Sequence, residues 1–179
     1  MDSGENTLFE SIVYDGKIIR VKKLKVRLPN GKQADREVVY HPGAVAVLAE
    51  PRPGTITLVR QYRKPIEGFL LELPAGKLEA NEEPLACARR ELREETGYLA
   101  VDLEEVCTFY TSPGFANETI HLFYAFSLTE GETSPDEDEL VDVCLYSKSE
   151  VVSMLKNGEI RDAKTLIGLM WWCQRGDLS

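Results

Sequence analysis

The sequence predicts an α+β domain led by an antiparallel β-ribbon, on three observations. Two hairpin signals, Asp15-Gly16 and Pro29-Asn30-Gly31, divide residues 8–40 into three strand-like segments. Short apolar or alternating runs bounded by Gly, Pro and Asn then recur through Tyr146. Three stretches carry helix start and stop signals, around 84–97, 147–158 and 162–174. No internal repeat and no Gly/Ser-rich linker interrupts them. Residues 1–42 read as a ribbon arm and 43–179 as the main domain.

The ribbon strands are Phe9–Tyr14, Lys17–Leu28 and Ala34–Tyr40, rich in Lys and Arg at 22, 23, 25 and 27. Such a ribbon presents a polar face, or packs as an arm on another subunit. His41-Pro42-Gly43 ends it. The apolar run Ala44–Ala49 predicts a buried central strand. Thr55–Tyr62 predicts the next one, with Ile56 and Leu58 alternating against Thr57 and Val59. It runs into Arg60, Arg63 and Lys64, which suit either an anionic ligand or plain solvation. Phe69–Leu73 is a short strand stopped by Pro74-Ala75-Gly76, with a loop expected beyond. Asn81 or Glu82 is placed to cap the helix that follows, Pro84 fits its first turn, and Gly97 fits its end.

Val101–Thr111 and Thr119–Leu128 predict two more strands. The linker between them, Ser112–Glu118, has turn formers, one aromatic and one acid, the composition of a functional loop. Residues 129–139 form an acidic, turn-rich surface loop, and Leu140–Tyr146 the last strand. Ser147-x-x-Glu150 is a capping box for a helix to Lys156, closed by Asn157-Gly158. Asp162 is placed to cap a final helix through about Gln174, with Leu166, Leu169 and Met170 toward the core and Trp171 and Trp172 as packing residues or subunit contacts.

A chain of 179 residues suits one domain with a sizeable core. Its net charge of −9, from 21 basic and 30 acidic side chains, argues against a nucleic-acid or anionic-membrane binder. The cysteines at 87, 107, 144 and 173 form no C-x-x-C pair, which argues against zinc and for buried free thiols in a reducing compartment. With no signal sequence and no apolar run of spanning length, the expected location is cytoplasmic.

The chemistry concentrates between Gly76 and Tyr98. Glu91, Glu94 and Glu95 stand at i, i+3 and i+4, covering an arc of about 100° on a helix. Taking Leu85 and Leu92 as the apolar stripe, Glu91 and Glu95 border it. Like charges at this spacing repel by roughly a few tenths of a kcal/mol per pair. A divalent cation is the simplest compensation, and Mg²⁺ favours such oxygen ligands. Arg90, four residues before Glu94, can hold that carboxylate by two hydrogen bonds.

The spacing Gly76-x5-Glu82-x7-Arg90-Glu91-Leu92-x-Glu94-Glu95-x-Gly97-Tyr98 resembles the Nudix hydrolase box, with tyrosine where an aliphatic residue is usual. The resemblance implies an α/β/α sandwich, a mixed sheet between helices, and hydrolysis of a nucleoside diphosphate linked to another moiety. It also implies Glu91, Glu94 and Glu95 as metal ligands, with the Ala75 carbonyl as a further one. The metal would be Mg²⁺, or Mn²⁺ in its place, as two or three ions. Glu82, Arg90, Gly76 and Gly97 would support the site.

Pro113, 15 residues after Tyr98, resembles the ADP-ribose pyrophosphatase branch, as do 41–47, 60–63, 72–77 and 158–165. That branch implies cleavage of ADP-ribose to AMP and ribose 5-phosphate. Arg63 would contact the diphosphate. Ser112, Pro113, Gly114 and Glu118 would line the ribose side. Glu139, or Glu137 in its place, would act near the attacking water. Branch members are homodimers, so Arg36 with Phe9 or Tyr14 would reach a neighbouring site. Other nucleoside diphosphate sugars or dinucleotide cofactors are the alternative substrates. A sensor that binds ADP-ribose without cutting it is the non-enzymatic alternative, and such sensors usually lack box carboxylates that this chain keeps.

Overall fold

Turn chemistry sets the first sheet. In the computed structural model, which describes residues 4–131 and 141–175, Asn6–Asp15 (β1), Arg20–Arg27 (β2) and Gln33–Tyr40 (β3) form an antiparallel sheet in that order. Gly31, in the turn between β2 and β3, takes φ 82°, a left-handed conformation that favours glycine. Leu24 and Val26 on β2 are buried, and every residue of β1 is exposed. These strands, with Phe109–Thr119, make one compact unit.

The second unit comprises Ala44–Thr108 and the chain from Ile120 onward. Its strands begin with Ala44–Arg52 (β4), Thr55–Arg63 (β5), Gly68–Glu72 (β6) and Ala75–Lys77 (β7). The helix Pro84–Thr96 (α1) and the strands Tyr98–Tyr110 (β8), Thr119–Glu130 (β9) and Val141–Ser147 (β10) follow. Lys148–Asn157 (α2) and Ala163–Gln174 (α3) complete it. The strand order is β10-β5-β4-β9-β8, with β6 on β5 and β7 on β4. β4 and β9 pair in parallel, and β4–β5, β5–β6, β4–β7 and β5–β10 antiparallel, so the sheet is mixed.

Alternation along β4 separates the two faces. Val45, Val47 and Ala49 pack with Phe123 and Ala125 against Cys87, Ala88 and Leu92 of α1. Leu48, of opposite parity, meets α3 at Gly168. With helices on both sides, β5 buries Ile56, Thr57, Leu58 and Val59 alike, so the alternation expected there does not separate a solvent face. Among the described residues no helix is long and apolar enough to cross a membrane.

Other local expectations shift for physical reasons. The segment after Pro74 is a strand, because β4 offers Ala44, Val45 and Ala46 as partners for Lys77, Gly76 and Ala75. The α1 N-cap is Glu83, without a side-chain cap, and not Asn81 or Glu82. Asn81 takes φ 63°, and the Glu82 carboxylate accepts from Arg90 instead. Leu85 is exposed, so the buried stripe of α1 runs through Cys87, Ala88, Leu92 and Glu95. Met170 is also exposed, and α3 turns Thr165, Gly168, Leu169 and Trp172 inward. The capping box at Ser147 and Glu150 and the cap at Asp162 form as expected.

A Cβ at Gly168 would stand 2.7 Å from Leu73 Cδ1 and 3.3 Å from two Leu48 carbons, and both leucines are fully buried. Alanine would gain about 1 kcal/mol of helix propensity but overpack the core by about 1–3 kcal/mol. Gly168→Ala is therefore expected to lower stability by about 1 kcal/mol, read from urea unfolding at an unchanged m-value. A more stable variant would show that the α3–sheet contact has room.

Candidate active site

The box glutamates stand where α1 crosses β7. Glu91 and Glu95 are 7% and 3% exposed, while Glu94 is partly exposed. Buried carboxylates are costly unless bonded, and the fold supplies partners. Ala75 N–H donates to Glu95 Oε2 at 3.0 Å, tying β7 to the helix. Arg90 spreads across the rest. Its Nε and Nη2 each donate to Glu82 at 2.9 Å, and its Nη1 donates to Glu91 at 2.7 Å and Glu94 at 3.0 Å. The expected Arg90–Glu94 pair is thus one arm of a fork whose two-point partner is Glu82.

These contacts set the charge states. Hydrogen bonding to Glu82 holds the Arg90 guanidinium firmly protonated. The same Arg90 bonds hold Glu82 down to about 2, against the opposing effect of burial. Burial, with Glu82 beside it, pushes the Cys87 thiol up to about 12. Cys87 is accordingly a neutral packing residue that donates to the Lys77 carbonyl, not a nucleophile.

Gly76 makes the close approach possible. A Cβ there would lie 1.9 Å from Glu91 Cδ and Oε1. Gly97 ends α1 at φ 76°, donating its N–H to the Arg93 carbonyl at 2.8 Å. Among the described residues no group of three His, Cys, Asp or Glu side chains converges to enclose an ion. The donor set, three carboxylates on one helix with Glu91 seated against a bare glycine, suits a hard divalent cation.

Arg63 lies at the end of β5. It donates through Nε and Nη2 to the two oxygens of Glu72, at 2.7 and 2.8 Å. Lys164 also donates to Glu72 and pairs with Asp162 at 3.0 Å. Burial by itself would push Glu72 up, but Arg63 and Lys164 overcome it and hold the carboxyl below its usual range. Sequence reasoning singled out Arg63 but missed its partners Glu72 and Lys164. The one local signal was an acid inside the apolar run Phe69–Leu73.

The remaining expected residues lie in the first unit, apart from two. Ser112 accepts through its carbonyl from Phe115 and Ala116 N–H, closing a turn over Pro113 and Gly114. Thr111 Oγ1 donates to Glu118 at 2.6 Å. Val39 N–H donates to the Phe115 carbonyl, and Arg36 pairs with Glu5. A pocket of about 360 Å³ there is lined by residues including Arg36, Val38, Pro113 and Gly114. Glu137 and Glu139 lie outside the described residues.

The NUDIX domain profile matches residues 39–168. The chain belongs to the Nudix family. It is a Nudix hydrolase, and enzymes of this family generally use divalent metal ions. A second profile, the nucleoside diphosphate sugar hydrolase N-terminal domain, matches residues 5–39. The chain is 46% identical to an ADP-ribose pyrophosphatase of Bacillus subtilis over 93% of its own length and 91% of the relative's. It is 43% identical to a methanol dehydrogenase activator of Bacillus methanolicus, over the same shares. A crystal structure of an ADP compounds hydrolase, 20% identical, superposes with a TM-score of 0.84 over 97% of this chain and 96% of that one, which establishes the common fold.

Proposed function

We propose that this Nudix hydrolase cleaves the diphosphate of ADP-ribose to AMP and ribose 5-phosphate, with Mg²⁺ as its metal. The observation that carries the reading is the set of carboxylates on α1, braced by Arg90 and seated against Gly76 and the Ala75 amide. The likeness to the Bacillus subtilis pyrophosphatase supports the choice of substrate.

Glu91, Glu94 and Glu95 would hold two or three ions, with the Ala75 carbonyl beside them; Mn²⁺ has the same preference for oxygen. The bound metal would neutralise phosphate charge and acidify a water. The protein's own contribution is orientation. Arg90 fixes Glu91 and Glu94 in place through charge-assisted bonds, and Ala75 N–H fixes Glu95. Arg63 would meet the diphosphate, and Ser112, Pro113, Gly114 and Glu118 the ribose. Glu139, or Glu137, would serve the attacking water. A homodimer in the cytoplasm, with Arg36 reaching the partner's site, completes the proposal.

The test is to incubate purified protein with ADP-ribose and Mg²⁺ and resolve the products. AMP and ribose 5-phosphate in equal amounts are expected, and AMP no higher than in a metal-free control would overturn the reading. A panel of nucleoside diphosphate sugars and dinucleotides ranked by kcat/KM decides the substrate class.

A further inference from the structure

We propose that Glu72 is a positioning residue for hydrolysis, holding Arg63 so that one edge of its guanidinium faces the substrate diphosphate. The proposal rests on the hydrolase reading above.

The register explains how the two residues meet. Glu72 pairs with Val59 across β5 and β6, and Arg63, four residues further along β5, shares the face of Val59. Glu72 is 1% exposed and carries its charge inside the sheet. An isolated buried carboxylate is strongly unfavourable. Arg63 binds it from one side by two parallel bonds, while the Arg63 side chain itself stays 40% exposed. Nε and Nη2 are thereby committed to Glu72, Nη1 is not part of that grip, and the charges of Glu95 and Asp162 also act on the guanidinium. A guanidinium gripped along one edge and open at the other is prepared for an anion.

The grip extends to the metal-binding face. Lys164 joins the same carboxylate from the first turn of α3 and pairs with Asp162. Thr165 Oγ1 donates to Asp162 at 2.6 Å and accepts from Leu73 N–H at 2.9 Å. Two residues on, Ala75 N–H holds Glu95. One side-chain cluster thus sets both Arg63 and the Leu73–Ala75 backbone whose amide holds the Glu95 carboxylate.

Without the Glu72 charge, Arg63 and Lys164 are left facing each other. Lys164, 13% exposed, keeps Asp162. Arg63, the more exposed cation, is free to swing into water, and its alignment is lost.

A double-mutant cycle on kcat/KM with Mg²⁺ tests this, using wild type, Arg63→Ala, Glu72→Gln and the double variant, with thermal midpoints measured alongside. Glu72→Gln is expected to lower kcat/KM about 10²-fold in the wild-type background and by no more than about threefold once Arg63 is alanine. Equal losses in both backgrounds would show that Glu72 acts independently of Arg63 and overturn the proposal. So would an Arg63→Ala variant as active as wild type. If Glu72→Gln does not fold, Glu72→Asp takes its place, keeping the charge but losing the two-point reach, under the same criterion. A wild type inactive on ADP-ribose but active on another diphosphate overturns the substrate assignment alone, and the cycle is run on that substrate. Inactivity toward the whole panel overturns both.

Discussion

Glu94→Gln is expected to keep the fold and lower kcat by about 10²–10⁴-fold. The substitution preserves shape and removes charge. Glu94 accepts one bond from Arg90, which keeps two bonds to Glu82 and one to Glu91, so the brace between α1 and the loop before it survives. Glu94 is also the most accessible of the three box glutamates, and its neutralisation leaves no buried ion unpaired. A thermal midpoint near that of wild type is therefore expected beside the collapse in turnover. In the proposed reading a neutral amide binds Mg²⁺ more weakly, so the Mg²⁺ concentration for half-maximal residual activity should rise. Near-normal turnover at ordinary Mg²⁺ would place the metal elsewhere.

The reaction class was legible because it rests on local spacing. Glu91, Glu94 and Glu95 sit within five residues, and helix geometry alone brings them to one side. Gly97 and the Ser147–Glu150 box are likewise local signals, and both end or start helices as expected. What was illegible depends on partners far along the chain. Glu72 and Lys164 are 92 residues apart, and only the packing of α3 on β6 brings them together. The strand at Ala75–Lys77 was hidden for the same reason. Its composition reads as a turn, and β4 supplies the hydrogen bonds that make it a strand. Arg90 shows both limits at once. Its i,i+4 partner Glu94 was readable, whereas its two-point partner Glu82 lies in the segment leading into the helix, where a capping role looked equally natural.

Gly76→Ala is expected to cost more activity than stability. The new Cβ would fall 1.9 Å from Glu91 Cδ and Oε1 and 2.3 Å from Oε2, distances that no atoms tolerate. The backbone cannot retreat, because Gly76 is paired with Val45 near the start of β4, the central strand of the sheet. Glu91 must move instead. Its carboxylate is the end of a flexible chain, so the cost in folding should be limited to overpacking, about 1–3 kcal/mol. Its position is nevertheless what the proposed metal site needs, and displacement by an ångström or more should lower kcat/KM by about 10²-fold. Mg²⁺ should also cease to raise the thermal midpoint, since a ligand stabilises only the state that binds it. Adding Glu91→Ala separates the two effects: with the obstructing carboxylate gone, the alanine at position 76 should cost almost no stability, a strongly non-additive cycle. Additive losses would mean that the clash is relieved by the sheet and not by Glu91, and that Gly76 matters for strand pairing instead of for the site.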